Sequence, residues 1–422
     1  MTPYLARRAF AGRRVLVAVC GGVAAYKLVE TVSLLVQAHA EVRVAMTPEA
    51  IRFITPLTFE AVSGRPVSSD LFGEQASGSQ ASGRDGELHI SLAQWAEAML
   101  CAPATANVIA KLAQGLADEV VSTTILASKA PLVLAPAMHE VMWEDTATQE
   151  NVDRLRRRGV AFAGPVRGRL ASGEVGQGRL AEQDAILRAL RDVLPGERDM
   201  AGLTVLVTAG GTREPLDPVR YVGNRSSGLM GHSLSAAAEA RGARTHLITS
   251  ASLPAPPGVE VTTVGTAAEM HAAVHQLAPS ADVLVMAAAV ADVRPRHAVS
   301  TKLAKSDLPL SLELEATEDI LGSLSTAHDL VKVGFAAETH ELESHARGKL
   351  VQKGLDLVVA NDVSDPDVGM GSAENAAIIF LRDGPSIAIS RAPKEEVADR
   401  ILDATLQVIE SSRSGRRRRR VS

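Results

Sequence analysis

RVLVAVCGG (Arg14–Gly22) and TVLVTAGG (Thr204–Gly211) are the two stretches that decide the fold. Each is a short apolar run closed by glycines and followed by an alanine-rich helical stretch. A buried parallel strand that feeds a glycine turn and then a helix opens a doubly wound sheet. The chain therefore reads as α/β, with two doubly wound domains in tandem. Neither turn carries the full dinucleotide fingerprint G-x-G-x-x-G, so a nicotinamide cofactor is not indicated. Outward from the first stretch, strands are predicted at Glu41–Ala45, Ala98–Ala102 and Pro131–Leu134, with a helix over Thr105–Gln114 stopped by Gly115. Outward from the second, strands are predicted at Arg244–Ile248, Val283–Met286, Val331–Phe335 and Leu357–Val359. A hairpin fits Asn375–Arg391, turned at Asp383-Gly384. The boundary falls near Gly196–Gly202. The Gly/Ser-rich stretch Gly73–Glu87 is expected to be a mobile loop, and the arginine run in Ser414–Ser422 a solvated, disordered end.

The length of 422 residues suits two or three domains at about 100–200 residues each. A hydrophobic share of 46% and a charged share of 22% are those of a globular protein. Lys plus Arg numbers 44 against 49 for Asp plus Glu, and the net charge of −5 argues against nucleic acid as the main partner. The longest strongly apolar run, Val283 to Ala291, lies between Asp282 and Asp292 and is far short of the ~20 residues that span a bilayer. No membrane role and no secretory leader are expected. Cys20 and Cys101, each in an apolar strand-like stretch, rule out a disulfide scaffold and fit a reducing cytoplasm.

In open α/β sheets, ligands bind beyond the carboxyl ends of the strands. In the first half, several polar groups fall there. Gly21 and Gly22 follow the first strand, Thr47 the second, and Thr105 and Asn107 of APATAN open a helix whose free N–H groups suit a phosphate. Ser122 adds a donor. Each alone could be a helix cap; together on one sheet edge they point to a mononucleotide pocket. His89 heads LHISLAQWAE at a helix N-terminus, where the dipole disfavours the imidazolium and leaves a neutral base. PLVLAPAMHEVMW (Pro131–Trp143) is a strand followed by a loop bearing Met138 and His139. GRLASGEVGQGRL (Gly168–Leu180) has glycines spaced like a flexible flap, or else is a plain surface loop.

The second half is richest over Ala209–Ala243. The SSG at Ser226–Gly228 precedes a helix and forms an anion site, with Asn224 and Arg225 beside it and Arg220 as another anion contact. Asp292 and Phe335 stand at strand ends, and Lys302 and Lys305 lie in the extended stretch beyond Asp292. Lys349 and Lys353, four apart, share a helix face and suit a triphosphate, though surface lysines without a role are the plainer alternative.

The ordered segments CGGVAAYK, HISLAQWA, APATAN, PAMHEVMW and ASGEVGQGRL resemble the flavin-containing cysteine decarboxylases, in their phosphopantothenoylcysteine decarboxylase branch. The runs TAGGTREPLDPVRYVGNRSSG, AAAVADVRP, GFAAET and LDLVVANDVS resemble bacterial, CTP-using phosphopantothenate–cysteine ligase. The resemblance implies a bifunctional coenzyme A biosynthesis enzyme. It implies a flavodoxin-like, Rossmann-like FMN domain over 1–197, a Rossmann-like ligase domain over 198–412 and a basic tail over 413–422. It implies that FMN oxidises the substrate thiol so that the carboxylate can leave as CO2, with His89 catalytic. In the ligase half it implies an acyl-cytidylate from 4′-phosphopantothenate and CTP, which the amine of L-cysteine converts to an amide, with Mg2+ offsetting the triphosphate charge. Nucleotide contacts carry over to Met286, Ala287, Ala288, Asp292, Lys302, Thr317, Glu318, Asp319, Ile320, Phe335, Lys349 and Lys353, and the passage to the acyl intermediate to Asn224. A homo-oligomer is implied, a dodecamer built from trimers and dimers.

Five positions depart from the pattern. His139 stands where the decarboxylases carry a substrate-clamping asparagine, and Ser172 where they carry a proton-donating cysteine. Thr317-Glu318-Asp319-Ile320 replaces N-P-D-I, and Leu229 replaces the lysine of SSGKMG. A thiol with a pKa of about 8.5 gives up a proton far more readily than a serine hydroxyl, so His139 or a water would have to finish the first reaction. The alternatives are an active ligase whose FMN-binding half serves assembly, a pyridine-nucleotide oxidoreductase, and an RNA-binding or regulatory protein led by the arginine tail.

Overall fold

A computed structural model describes residues 3–71, 88–194, 198–304, 311–324, 330–338, 340–362 and 372–419. Gly73–Glu87 and Lys305 lie outside the described residues. The chain forms two compact units, Met1–Gly196 and Glu197–Ser422.

The first unit is a five-stranded parallel sheet of β1 (Arg14–Val19), β2 (Glu41–Met46), β3 (Ala98–Ala104), β4 (Leu132–Pro136) and β5 (Ala161–Phe162), in the order β2-β1-β3-β4-β5. Side chains alternate across a strand, and β1 is apolar on both faces. Val15, Val17 and Val19 pack with α1 (Pro3–Phe10), α2 (Leu28–Gln37), α3 (Pro56–Ser63) and, later in the chain, the helix Gln183–Val193. Leu16, Ala18 and Cys20 pack with α4 (Leu88–Trp95), α5 (Ala106–Gln114), α6 (Val120–Ala127) and, beyond the short α7 (Glu140–Glu144), α8 (Thr146–Arg157). The helix Gln183–Val193 is α9. Thr105 caps α5 by accepting the N–H of Val108, and Gly115 ends it at φ +74. The expected flap is a β-hairpin, β6 (Val166–Arg169) and β7 (Val175–Arg179). Gly176 and Gly178 serve close packing, while Gly173 turns the hairpin at φ +92. A Cβ on Gly178 would fall 2.2 Å from the Met138 carbonyl, and one on Gly176 2.6 Å from the Glu140 carboxylate.

In the second unit the chain forms β8 (Thr204–Ala209), β9 (Arg213–Pro215), β10 (Tyr221–Gly223), β11 (Arg244–Thr249), β12 (Glu260–Thr263), β13 (Val283–Met286), β14 (Val293–Pro295), β15 (Leu314–Ala316), β16 (Val331–Glu338), β17 (Leu357–Asp362), β18 (Glu374–Leu381) and β19 (Ile387–Pro393). The main sheet runs β12-β11-β8-β13-β16-β17-β18-β19. It is parallel as far as β17, and the expected hairpin β18–β19 extends it antiparallel. The pairs β9–β10 and β14–β15 are small separate ladders. Its helices are α10 (Leu229–Ala240), α11 (Ala267–Leu277), α12 (Ile320–Ser323), α13 (Leu342–Gln352) and α14 (Lys394–Arg419). The last three helices before α14 bury Ala273, Ile320 and Ala346 in one apolar core, while α10 and α14 pack along each other. The arginine run expected to be a disordered end continues α14 as far as Arg419. No helix among the described residues is long and apolar enough to cross a membrane.

Two buried ionic groups hold this unit together. Arg241, 2% exposed at the end of α10, binds Asp199 through two N–H groups at 2.9 and 2.6 Å. It also pairs with Asp403 at 2.8 Å and lies 3.6 Å from Asp399. Removing one partner of a buried ion pair strands the other charge and costs about 3–5 kcal/mol. Arg241→Ala should lower stability by that amount, read from urea unfolding of the full chain. Asp217, buried between β9 and β10, accepts the N–H groups of Val219 (2.8 Å), Arg220 (2.7 Å) and Leu303 (3.3 Å) and the Arg220 guanidinium (2.5 Å). Burial alone would push its carboxyl up, but these donors pull it down to about 2. The unfolded value is about 3.9, so the contribution is present above it and is lost as pH falls towards 2. Asp217→Asn should flatten that acid slope in melting curves taken between pH 5 and 2.

Candidate active sites

The first unit gathers its loops at the carboxyl edge of the sheet, where the strand order reverses between β1 and β3. A Cβ on Gly21 would stand 2.3 Å from the Glu49 Cβ, and one on Gly22 3.4 Å from Pro103. The turn after β1 is thus packed against the turn after β2 as closely as glycine allows, and Gly22 touches β3 in ordinary contact, leaving bare backbone at the edge. Thr105 starts α5 there, and Asn107 is exposed on its first turn. The loop after β4 joins the same edge through the bond from the Ala137 N–H to the Ala104 carbonyl, and the hairpin docks on it through that from the Met138 N–H to the Gly178 carbonyl. Glu140 adds a bond from the Gln177 N–H at 2.6 Å. His139 ties the loop to the hairpin turn. Its Nδ1 accepts the Val141 N–H at 3.3 Å, so the ring proton sits on Nε2, which faces Glu174 at 3.2 Å. Ser172 is exposed in that turn, two residues from Glu174. His89 is the second residue of α4 and is half-buried.

Two expected pocket residues make local bonds. Thr47, 2% exposed, accepts the Ala50 N–H at 3.2 Å. Ser122 is fully buried, donates to the Glu119 carbonyl at 3.2 Å and lines a separate 340 Å³ cavity with Met99 and Leu132. Both are short polar side chains near helix starts that bond the neighbouring main chain. Cys20 and Cys101 lie side by side in the core, with Sγ atoms 3.5 Å apart. That contact and burial hold the Cys20 thiol well above its ordinary range, so it is inert.

In the second unit a cavity of about 750 Å³ opens at the β8/β13 reversal of strand order. It is walled by Asn224–Gly231 at the start of α10, by Met286–Asp292 after β13, by Thr317–Leu321, by Phe335–Ala337, and by Lys349 and Lys353. Gly231 brings α10 against β8, for a Cβ there would meet Ala209 at 2.5 Å. The loop after β13 is pinned by side chains of β8 and its turn. Thr208 accepts the Ala288 N–H at 3.1 Å, and Thr212 that of Ala291 at 2.9 Å. Thr317 donates to the Ala291 carbonyl at 2.6 Å. Asn224 Nδ2 donates to the Val290 carbonyl at 2.9 Å. Lys349 donates to the Phe335 carbonyl at 2.6 Å, and Lys353 pairs with Asp319. Burial pushes the Asp319 carboxyl up, but the Lys353 ammonium and the Gly322 N–H outweigh it and hold it low. Glu318 lines the cavity with its carboxylate 3.2 Å from His271.

Asn224, Met286, Ala287, Ala288, Asp292, Thr317, Glu318, Asp319, Ile320, Phe335, Lys349 and Lys353 thus share one cavity. Lys302 does not line it. It is exposed beside Leu303, in a stretch that Asp217 anchors through the Leu303 N–H. Arg220 is likewise held away, by Asp217 and the Leu303 carbonyl. Three further wall residues, Asn361, Asn375 and Lys394, carried no local signal. Asn361 stands at the carboxyl end of the parallel β17, and Asn375 and Lys394 reach the cavity because β18 and β19 return antiparallel. Among the described residues no group of three or more His, Cys, Asp or Glu is arranged to hold a metal ion.

Residues 5–194 match the Flavoprotein family, and residues 200–409 the DNA/pantothenate metabolism flavoprotein C-terminal domain. A Coenzyme A biosynthesis bifunctional protein CoaBC of Vibrio parahaemolyticus is 40% identical over 398 residues, covering 93% of this chain and 98% of that one. The CoaBC protein of Bacillus subtilis is 42% identical, covering 92% and 96%. That of Escherichia coli K12 is 41% identical, covering 93% and 96%. Two family matches in tandem and relatives aligned almost end to end mean that this chain belongs to the CoaBC family of bifunctional coenzyme A biosynthesis enzymes.

Proposed function

We propose that the second unit joins L-cysteine to 4′-phosphopantothenate at the expense of CTP and that the first unit decarboxylates the product to 4′-phosphopantetheine. The 750 Å³ cavity carries this reading, because it sets a helix N-terminus, an amide side chain and two lysines around one space at the sheet's switch point. Met286–Ala288, Asp292, Thr317–Ile320 and Phe335 contact the nucleoside, and Lys349 and Lys353 the phosphates. Lys302, outside the cavity, is left out of this set. The substrate carboxylate attacks the α-phosphorus of CTP and pyrophosphate departs. The cysteine amine then attacks the acyl carbon and CMP departs. Lysine N–H groups and the N–H groups opening α10 offset charge that builds at phosphorus. Asn224 has one N–H committed to Val290, which leaves its carbonyl oxygen and second N–H for the acyl group and the incoming amine. Mg2+ rides on the triphosphate, as a magnesium ion with few protein ligands commonly does.

In the first unit, the bare edge at Gly21 and Gly22 fits a mononucleotide, with Thr105 and Asn107 at the start of α5 for its phosphate and Met138 beside its ring. Bound FMN supplies reversible two-electron chemistry at the thiol end of the substrate. His89 serves as base. His139, with its proton on Nε2, takes over the proton delivery that a cysteine at position 172 would perform. Ser172 and His139 favour one second reading, in which this unit binds FMN and supports assembly but decarboxylates slowly. Exposed Tyr221, Val293 and Leu314 on the two small ladders support a homo-oligomer.

Mass spectrometry after mixing the protein with phosphopantothenate, cysteine, CTP and Mg2+ reads the two steps separately. Amide formation followed by carboxyl loss is expected. No amide at saturating substrates overturns the ligase assignment, and amide without carboxyl loss from the flavin-bound protein leaves only the second reading. Asn224→Ala should slow amide formation about 100-fold or more while leaving the flavin absorbance unchanged. Ser172→Cys should speed decarboxylation by about tenfold or more near neutral pH, because a thiol is the stronger acid. An unchanged rate would show that proton delivery at that position does not limit the step.

A further inference from the structure

Lys394 is 7% exposed, yet it lines the large cavity of the second unit. Its ammonium has one recorded partner, the Ser372 carbonyl at 2.5 Å, and no carboxylate within ion-pair reach among the described residues. Burial pushes it below the ordinary lysine range. The two other lysines of the cavity are engaged by the Phe335 carbonyl and by Asp319. Beside Lys394 stands Asn375, 5% exposed, whose Oδ1 accepts the Ala376 N–H at 3.0 Å and whose NH2 remains as a donor. Asn361, near the end of β17, completes the group.

The topology explains the meeting. β18 runs against β17, so its start at Glu374–Asn375 lies at the carboxyl edge of the sheet. β19 runs back to the same edge, with Glu374 opposite Pro393. Lys394 is therefore the first residue of α14 there, and α14 packs along α10, whose first turn also lines the cavity. Two helices begin on one rim with a buried cation between them. A buried ammonium gains from a counter-charge, and an anionic ligand in the cavity supplies one.

We propose that Lys394, with the NH2 groups of Asn375 and Asn361, is a subsite for a phosphoryl group of a ligase substrate. The proposal rests on the ligase reading of this cavity. Two substrates carry that chemistry, CTP in its triphosphate and phosphopantothenate in its 4′-phosphate, and the experiment distinguishes them.

Binding of CTP and of 4′-phosphopantothenate to the full chain is measured by titration calorimetry for the wild type, Lys394→Met and Asn375→Asp. The aspartate keeps an acceptor for the Ala376 N–H and leaves Lys394 in place, but it puts a negative charge in the cavity that repels phosphate. Both variants should raise the dissociation constant of one substrate by about 10- to 100-fold, the range of a lost charge-assisted contact. The substrate affected names the source of the phosphoryl group. Should Lys394→Met fail to fold, by its melting curve, Asn375→Asp decides alone. Unchanged affinity for both substrates, in variants that melt like the wild type, overturns the subsite and leaves the ligase reading standing. A wild type that binds neither substrate overturns both.

Discussion

A parallel strand can be buried on both faces only if the chain leaves it at one edge and returns through a helix. Every such helix then begins at the carboxyl edge, and its unpaired N–H groups collect there. Both units of this protein inherit that constraint from β1 and β8, which are apolar on both sides. The edge must stay polar because the strands beneath it cannot be. Where the strand order reverses, adjacent loops part in opposite directions and leave a crevice. The bare glycine edge of the first unit and the cavity of the second both lie at such a point.

What makes these crevices sites rather than gaps is how tightly their walls are fixed. Gly21, Gly178, Gly211 and Gly231 all stand where a Cβ would collide, at 2.3, 2.2, 2.2 and 2.5 Å from the nearest atom. Backbone therefore approaches backbone, and the loops have few ways to move. Thr208 and Thr212 add hydroxyls that accept N–H groups of the loop after β13. The groups that face a ligand are mostly main chain or short side chains held by main chain. Orientation is set before a substrate arrives, which is the condition under which dipoles lower a barrier most.

The main strands were legible because burial on two faces forces unbroken apolar runs, as in Val283–Met286. The Thr105 cap and the Gly115 stop were legible because capping is local chemistry. The wall residues of the second cavity from Asn224 to Lys353 were legible through ordered motifs. Three kinds of feature were not. Thr47 and Ser122 look the same in sequence whether a hydroxyl faces a ligand or its own helix turn. The glycines of Gly168–Leu180 suggested freedom, where the structure uses them for close contact with Met138 and Glu140. The short ladders β9–β10 and β14–β15 are too small and too exposed to leave a periodic signal.

Lys394 marks a further limit. A lysine opening a helix with Glu395 and Glu396 beside it reads as a solvated surface residue. Only the antiparallel return of β18 and β19 brings its helix to the edge where α10 begins. A fully parallel sheet would have needed another crossover, with helices placed by strand order alone. The hairpin instead carries the chain down and back without leaving the sheet, so α14 starts at the same edge as the parallel strands end. The same step buries Asn375 at the foot of that helix. An edge built for helix N-termini thereby gains one more, together with a buried cation.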